Sequence, residues 1–399
     1  MSLAPFKLYI HIELFSMKKI LLQFFFICIF AHSHFCASAQ DSSHIRISLL
    51  TCTPGEELYS TFGHSALRIK DSSNLSDIVY NYGTFNFDDK DFYLKFVRGK
   101  LLYYVSTEYF EDFKDAYQST NRGITEQVLN FSPEEKLNIQ KALFENIKEE
   151  NKYYKYDFFL DNCTTRLRDI IVKNKSDRPS FKAVMPKNTR FRQAIHSYLD
   201  KGEKYWSKLG IDILLGQPTD AIMSIEQSQF LPDNLMKSLD SSNQNHQVVL
   251  SETNLYPIEE NEKGSFLFTP LSIFSALLIT VFLISLSANK WATIFLKGFD
   301  GILFFTTGVL GIVLIFMWTG TDHAMCKNNF NLLWAIPMHA AMAFFIGSKK
   351  QWVKKYFALN GIFLALVLLS WFFLPQQMNN ALLPLVLLLI YRSHTIYAH

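Results

Sequence analysis

The last third of the chain constrains the fold more than any other feature. It holds five apolar stretches: Leu271–Ala288, Phe299–Trp318, Phe330–Gly347, Tyr356–Leu374 and the shorter Ala381–Tyr391. An apolar helix of roughly 20 residues matches the hydrocarbon thickness of a bilayer, so an α-helical membrane domain of about five transmembrane helices is predicted. Lysine placement orients it. Lys290, Lys297, Lys349, Lys350, Lys354, Lys355 and Arg392 fall in segments on one side, against Lys327 alone on the other. Positive charge collects in the cytoplasm, which puts the preceding domain outside and the C-terminus inside. Helical spans belong to an inner membrane, because outer-membrane spanners are barrels.

The N-terminal region agrees. From Met17 it reads Lys18, Lys19, the apolar run ILLQFFFICIF and then Ala37-Ser38-Ala39, a signal peptide with cleavage expected after Ala39 and a start at Met17. Cys36 lacks the small residues a lipobox requires. The expected organisation is a signal peptide over 1–39, an exported domain over 40–240, a polar linker over 241–269 and the membrane domain over 270–399. A net charge of +3 without a long basic run argues against a nucleic-acid partner. No metal-ligand spacing, P-loop or dinucleotide fingerprint stands out, so cofactor-free chemistry is expected.

Two short runs in the exported domain carry the chemistry. STFGHSALRI alternates as a strand with His64 on one face, and after the polar turn DSSNLSD a second strand, IVYNYGTF, returns beside it. Such a hairpin brings Tyr80, Asn81 or Tyr82 next to His64, and Asn81 is the candidate to hold the imidazole tautomer. In YKYDFFLDNCTTRLRD, Asp161 and Asn162 are good helix caps, and Leu167, Ile170 and Ile171 follow at helical spacing. Cys163 then sits in the first helical turn, where free N–H groups and the helix dipole favour thiolate. Arg166 and Arg168 add positive charge, and Arg166 is a candidate substrate contact. A small buried core cysteine, or a Cys52–Cys163 disulfide, is the competing reading. Tyr156 is a candidate oxyanion donor. The other elements expected are strands in HIRISLLTC, LLYYVSTEY and GITEQVLN, short helices in DFYLKFVRGK and EDFKDAYQ, and a long helix capped by Ser132 and Glu135. That helix is expected to reach about Asn151 and to bury Leu137, Leu143, Phe144 and Ile147. The run GIDILLGQPTDAIMSIEQSQFLPDNL reads as a compact cap containing Asp220, with His196 just before it, and a structural role is expected for both. In the membrane domain, Asp322 and His323 lie in a loop on the side of Cys163. The loop reads either as a solvated turn with capping asparagines or as a floor to the site that handles a lipid headgroup or ester carbonyl, with these two residues as the candidates. His339 lies beyond Pro337, within the bilayer.

FGHSALRI followed by NCTTRLRD resembles the permuted NlpC/P60 papain-like superfamily, which includes lecithin:retinol acyltransferase-like proteins. Joined to a polytopic C-terminal region, the pair resembles more narrowly the Lnb family of bacterial lipoprotein N-acyltransferases. The resemblance implies an α+β permuted papain-like domain. It also implies transfer of an acyl chain from a membrane phospholipid to the α-amino group of a diacylated lipoprotein, through a Cys163 thioester with His64 as base. A Cys–His pair beside a bilayer also fits a cell-wall peptidase or amidase, and a degenerate domain would make a non-catalytic assembly factor.

Overall fold

The computed structural model describes residues 44–241, 247–256 and 268–398. The signal peptide and most of the expected linker lie outside these residues. A seven-stranded, wholly antiparallel sheet forms the centre of the exported part, in the order β6-β4-β3-β2-β1-β5-β7. Its strands are β1 (Ile45–Cys52), β2 (His64–Asp71), β3 (Ser76–Thr84), β4 (Leu102–Tyr109), β5 (Ile124–Leu129), β6 (Tyr153–Lys155) and β7 (Val249–Tyr256). Alternation in β1 sends Ile45, Ile47 and Leu49 to one face and Leu50 and Cys52 to the other, and all are buried. Helices therefore cover both faces. After the short α1 (Phe92–Val97), α2 (Phe110–Ser119) packs Phe110 and Phe113 on the Leu50 face. The Leu49 face is covered by α3 (Pro133–Asn146) and α4 (Cys163–Asn174).

Two local expectations change. The capped helix α3 ends at Asn146, and Phe144 is 60% exposed, while the buried stripe runs through Ile139 and Leu143 at i, i+4 spacing. Residues 249–256 of the expected linker form the edge strand β7, held by its register with β5 although its side chains are mostly exposed.

The cap comprises α5 (Phe191–Lys201), α6 (Tyr205–Leu214), α7 (Ile225–Ser228) and α8 (Pro232–Asp240), whose Leu235 and Leu239 join the Leu49-face core. Fully buried Arg192 ties it together, pairing with Asp212 and Asp220 and donating to the carbonyls of Leu215 and Gly216. His196 lies 2.8 Å from Asp212. The cap is fastened to the membrane domain through backbone groups that have no helical partner. Asn331 donates to Asp212 O (3.0 Å), Asn329 to Ile213 O (2.8 Å) and Gln376 to Leu215 O (3.1 Å), while the Gly216 N–H donates to Met325 O (2.8 Å).

The membrane domain contains α9 (Pro270–Ser285), α10 (Lys290–Thr319), α11 (Met338–Met342), α12 (Gln351–Ser370) and α13 (Leu383–Ala398). Among the described residues three helices are long and apolar enough to cross a bilayer, Lys290–Thr319, Gln351–Ser370 and Asn380–Ala398, and Pro270–Ser285 is a shorter apolar one. The Phe330–Gly347 stretch is broken into a 3-10 turn, α11 and a second 3-10 turn, with Pro337 removing a backbone donor at the break. It packs backbone to backbone on α10, where a Cβ on Gly308 would come 2.0 Å from Ala340 N and one on Gly311 2.1 Å from Ala335 O. The last stretch extends past Tyr391, so Arg392 is no loop charge. It is buried and pairs bidentately with Asp300 (2.6 and 2.8 Å), joining α13 to α10. His339 is fully buried and lies 3.0 Å from Asn360 Oδ1.

Candidate active site

Asn162 caps α4 by accepting from the Thr165 N–H (2.9 Å), and the Thr165 hydroxyl accepts in return from the Asn162 N–H (2.8 Å). Asn162 also donates to the carbonyls of Phe158 and Phe230, so the residue before Cys163 is fixed on three sides. The Thr164 hydroxyl then donates to Ser65 Oγ (3.2 Å), which holds the first turn of α4 against the start of β2, where His64 lies.

His64 is paired in register with Cys52, and Val79 of β3 with Glu108 of β4. Strand parity puts His64, Asn81 and Glu108 on one face of the sheet. His64 Nε2 lies 3.1 Å from Asn81 Oδ1, and Asn81 Nδ2 donates to Glu108 Oε1 (2.5 Å). A carboxylate accepts, so Glu108 takes the amide's donor end and leaves its oxygen for the imidazole. His64 therefore donates from Nε2, and its Nδ1 is left to accept from the thiol. Tyr82 points to the opposite face, where its hydroxyl accepts from Asn146 (2.7 Å). Tyr117, on α2, stacks against His64 with ring centroids 6.5 Å apart.

Burial pushes the Cys163 thiol up, but the charge of His64 and a hydrogen bond to it, helped by the Ser65 N–H, bring it down to about 7. For His64 burial works downward, and the partnership with Cys163 and Asn81 outweighs it, leaving the imidazole above its ordinary value. Such a pair is poised to exchange a proton near neutrality. Cys52 and Cys326 are free but buried, and burial holds them at about 12 and about 11. With Cys52 and Cys163 both free, the disulfide reading does not describe this structure.

The thiol opens into a cavity of about 550 Å³ lined mainly by aromatic and aliphatic side chains. Tyr156 forms a wall, stacked on Tyr103 with centroids 4.5 Å apart, and burial raises its phenol well above the ordinary range. Gly83 has a φ of 91°, and a Cβ there would stand 3.4 Å from Tyr156 and 3.7 Å from the Cys163 Cβ. The glycine thus serves both the left-handed backbone and the space beside the thiol. The far side of the cavity is the membrane-domain turn His323, Ala324, Met325 and Cys326. Arg166 and Asp322, two of the expected substrate contacts, are not in the lining. Arg166 forks onto Asp161 (2.7 Å twice) above the Tyr154 ring, and Asp322 pairs with Lys155 at 3.1 Å. Glu108 and Tyr117 were not singled out from sequence.

The sequence model of the Lnb N-terminal periplasmic domain matches residues 32–194, and that of the Lnb transmembrane domain matches residues 260–399. The chain belongs to the Lnb family of lipoprotein N-acyltransferases. Comparison with curated proteins and with solved structures returned no match. The Lnb periplasmic match contains Cys163, His64, Asn81 and Glu108, whereas the turn that closes the cavity lies in the Lnb transmembrane match. Helices α6 to α8 fall between the two.

Glu108 offers a sharp test of the hydrogen-bond chain. Glu108→Leu is expected to lower the acyl-transfer rate about tenfold, the worth of one hydrogen bond of ~1.4 kcal/mol, and to shift the pH midpoint of Cys163 alkylation upward. Glu108→Gln still accepts from Asn81 and is expected to restore most of both. Equal loss in the two variants would show that Asn81 is not oriented through this bond.

Proposed function

We propose that the protein moves an acyl chain from a membrane phospholipid to the α-amino group of a diacylglyceryl-cysteine lipoprotein, with Cys163 as nucleophile. The supporting observation is that one apolar cavity joins the Cys163–His64 pair to the outer turn of the membrane domain. A peptide substrate has no need of such a floor.

His64 Nδ1 takes the Cys163 proton, and the thiolate attacks the ester carbonyl of the donor. As the tetrahedral intermediate collapses, the ester C–O bond breaks and imidazolium returns the proton to the glycerol oxygen, releasing lysophospholipid and leaving a thioester. The neutral amine then attacks that carbonyl, His64 accepts its proton, and the C–S bond breaks to give an amide and the regenerated thiol. Backbone N–H groups at the start of α4, with Tyr156 in the wall, are the groups proposed to stabilise the oxyanion. The apolar lining disfavours water as the competing acceptor. The domain works from the periplasmic side of the inner membrane, with the C-terminus in the cytoplasm as the lysine distribution implies.

Intact-mass analysis of the purified full chain, incubated with phospholipid vesicles, tests this. Wild type is expected to gain one acyl chain that discharges onto a lipopeptide amine, and Cys163→Ala to gain none. Absence of the adduct together with cleavage of peptidoglycan fragments would replace the reading with a cell-wall peptidase.

A further inference from the structure

Helix α1 and its flanks present an apolar surface that no part of the described chain covers. Tyr93 is 79% exposed, Leu94 57%, Phe96 51% and Val97 42%, and Phe87, five residues before the helix, is 67% exposed. Large apolar side chains that are contiguous and open in this way mark a partner surface.

The height of this surface is fixed. The Asp322 N–H donates to Arg98 O (3.0 Å), and His323 Nε2 lies 3.1 Å from Val97 O. Asp322 and His323 lie three and four residues beyond α10, which ends at Thr319 and is the longest of the candidate spans. The C-terminal end of α1 is thus bonded to the turn that follows the longest apolar helix, which brings this surface near the headgroup level when that helix spans a bilayer. Arg98 and Lys100 border the apolar residues at the C-terminal end of α1, basic groups suited to lipid phosphate, while Lys95 is paired with Asp89 at 2.6 Å. The surface is also continuous with the reaction chamber, because Phe96 and Gly99 line the Cys163 cavity.

We infer that α1 is seated in the periplasmic leaflet and forms the sill over which a phospholipid acyl chain passes from the bilayer into the cavity. The seat is independent of the thioester chemistry, and only its role as an entrance rests on the proposed function. The test uses the full chain carrying Cys163→Ala, in vesicles of phosphatidylethanolamine and phosphatidylglycerol, with photoreactive p-benzoylphenylalanine replacing Tyr93 or, separately, Leu94. The control position is Leu75, 91% exposed in the β2–β3 turn at the end of the sheet away from His64. Irradiation is expected to give phospholipid-mass adducts at 93 and 94 at least tenfold more often than at 75. Equal yields at the three positions, or adducts to protein alone, would overturn the seat while leaving the thioester reading standing. Lipid adducts alongside a wild type that never gains an acyl chain would remove the thioester reading and leave the seat.

Discussion

Replacing His64 by alanine is expected to slow alkylation of Cys163 at pH 7 by about fiftyfold. With the thiol at about 7, half of it is thiolate at neutral pH. Without the imidazole, burial is left as the main influence and returns the group to its ordinary 9.0 or above, where roughly 1% is ionised. Thiolate increases as pH rises, so the wild-type rate should reach its half-value near pH 7 and the variant's profile should move to higher pH, the two converging in strong alkali. Iodoacetamide labelling read by peptide mapping would measure this, with Cys52 and Cys326 silent because burial keeps them protonated. Acyl transfer should fall by about 10²–10⁴, the usual contribution of a positioned general base. An unshifted alkylation profile would mean that the imidazole does not set the state of the thiol.

Gly216→Ala should be the most disruptive single methyl addition at the junction of the two domains. Its Cβ would lie 1.9 Å from Lys327 O, a backbone atom with no freedom to turn away. Relief requires the cap loop to lift, which strains the bonds from the Gly216 N–H to Met325 O and from Arg192 to Gly216 O. Overpacking of this kind costs about 1–3 kcal/mol, and weakened buried bonds add to it. Gly210→Ala is the control, since nothing lies within 4 Å of its Cβ and alanine favours the helix. Thermal unfolding of the purified full chain should show Gly216→Ala melting several degrees lower and Gly210→Ala unchanged or slightly higher. Transfer from vesicle phospholipid should drop more than tenfold in the former, while Cys163 alkylation stays within about twofold. Parallel loss of alkylation would indicate that the whole site, and not its mating with the membrane domain, had been disturbed.

The strands around His64 and the capped start of α4 were legible because each depends on neighbours in sequence. Alternation marks a strand, and an asparagine before a helical stripe marks a first turn. Glu108 was not legible. It reaches Asn81 only through the β3–β4 register, which a bulge between Asn81 and Thr84 resets and which strand pattern alone does not determine. Strand β7 escaped for a related reason, being held at the sheet edge by backbone bonds and not by buried side chains. In the membrane region, hydropathy reports how apolar a stretch is but not whether its backbone is continuous. Phe330–Gly347 therefore read as one unbroken helix although Asn329, Asn331 and Pro337 interrupt it and turn its start toward the cap. Hydropathy likewise ended the last helix before Arg392, because the presence of Asp300 on another helix is invisible to a local average.

Side-chain amides from 329, 331 and 376 clasp the carbonyls at 212–215 that end α6, and so the domain carrying Cys163 is tied to the membrane domain at fixed points. On the proposed reading this makes distance from the membrane a selection rule. A diacylglyceryl anchor places the amine of its cysteine at the same elevation whatever polypeptide follows. A single enzyme can then serve many lipoproteins of unrelated sequence by gauging where their first residue stands and ignoring what the rest of them are.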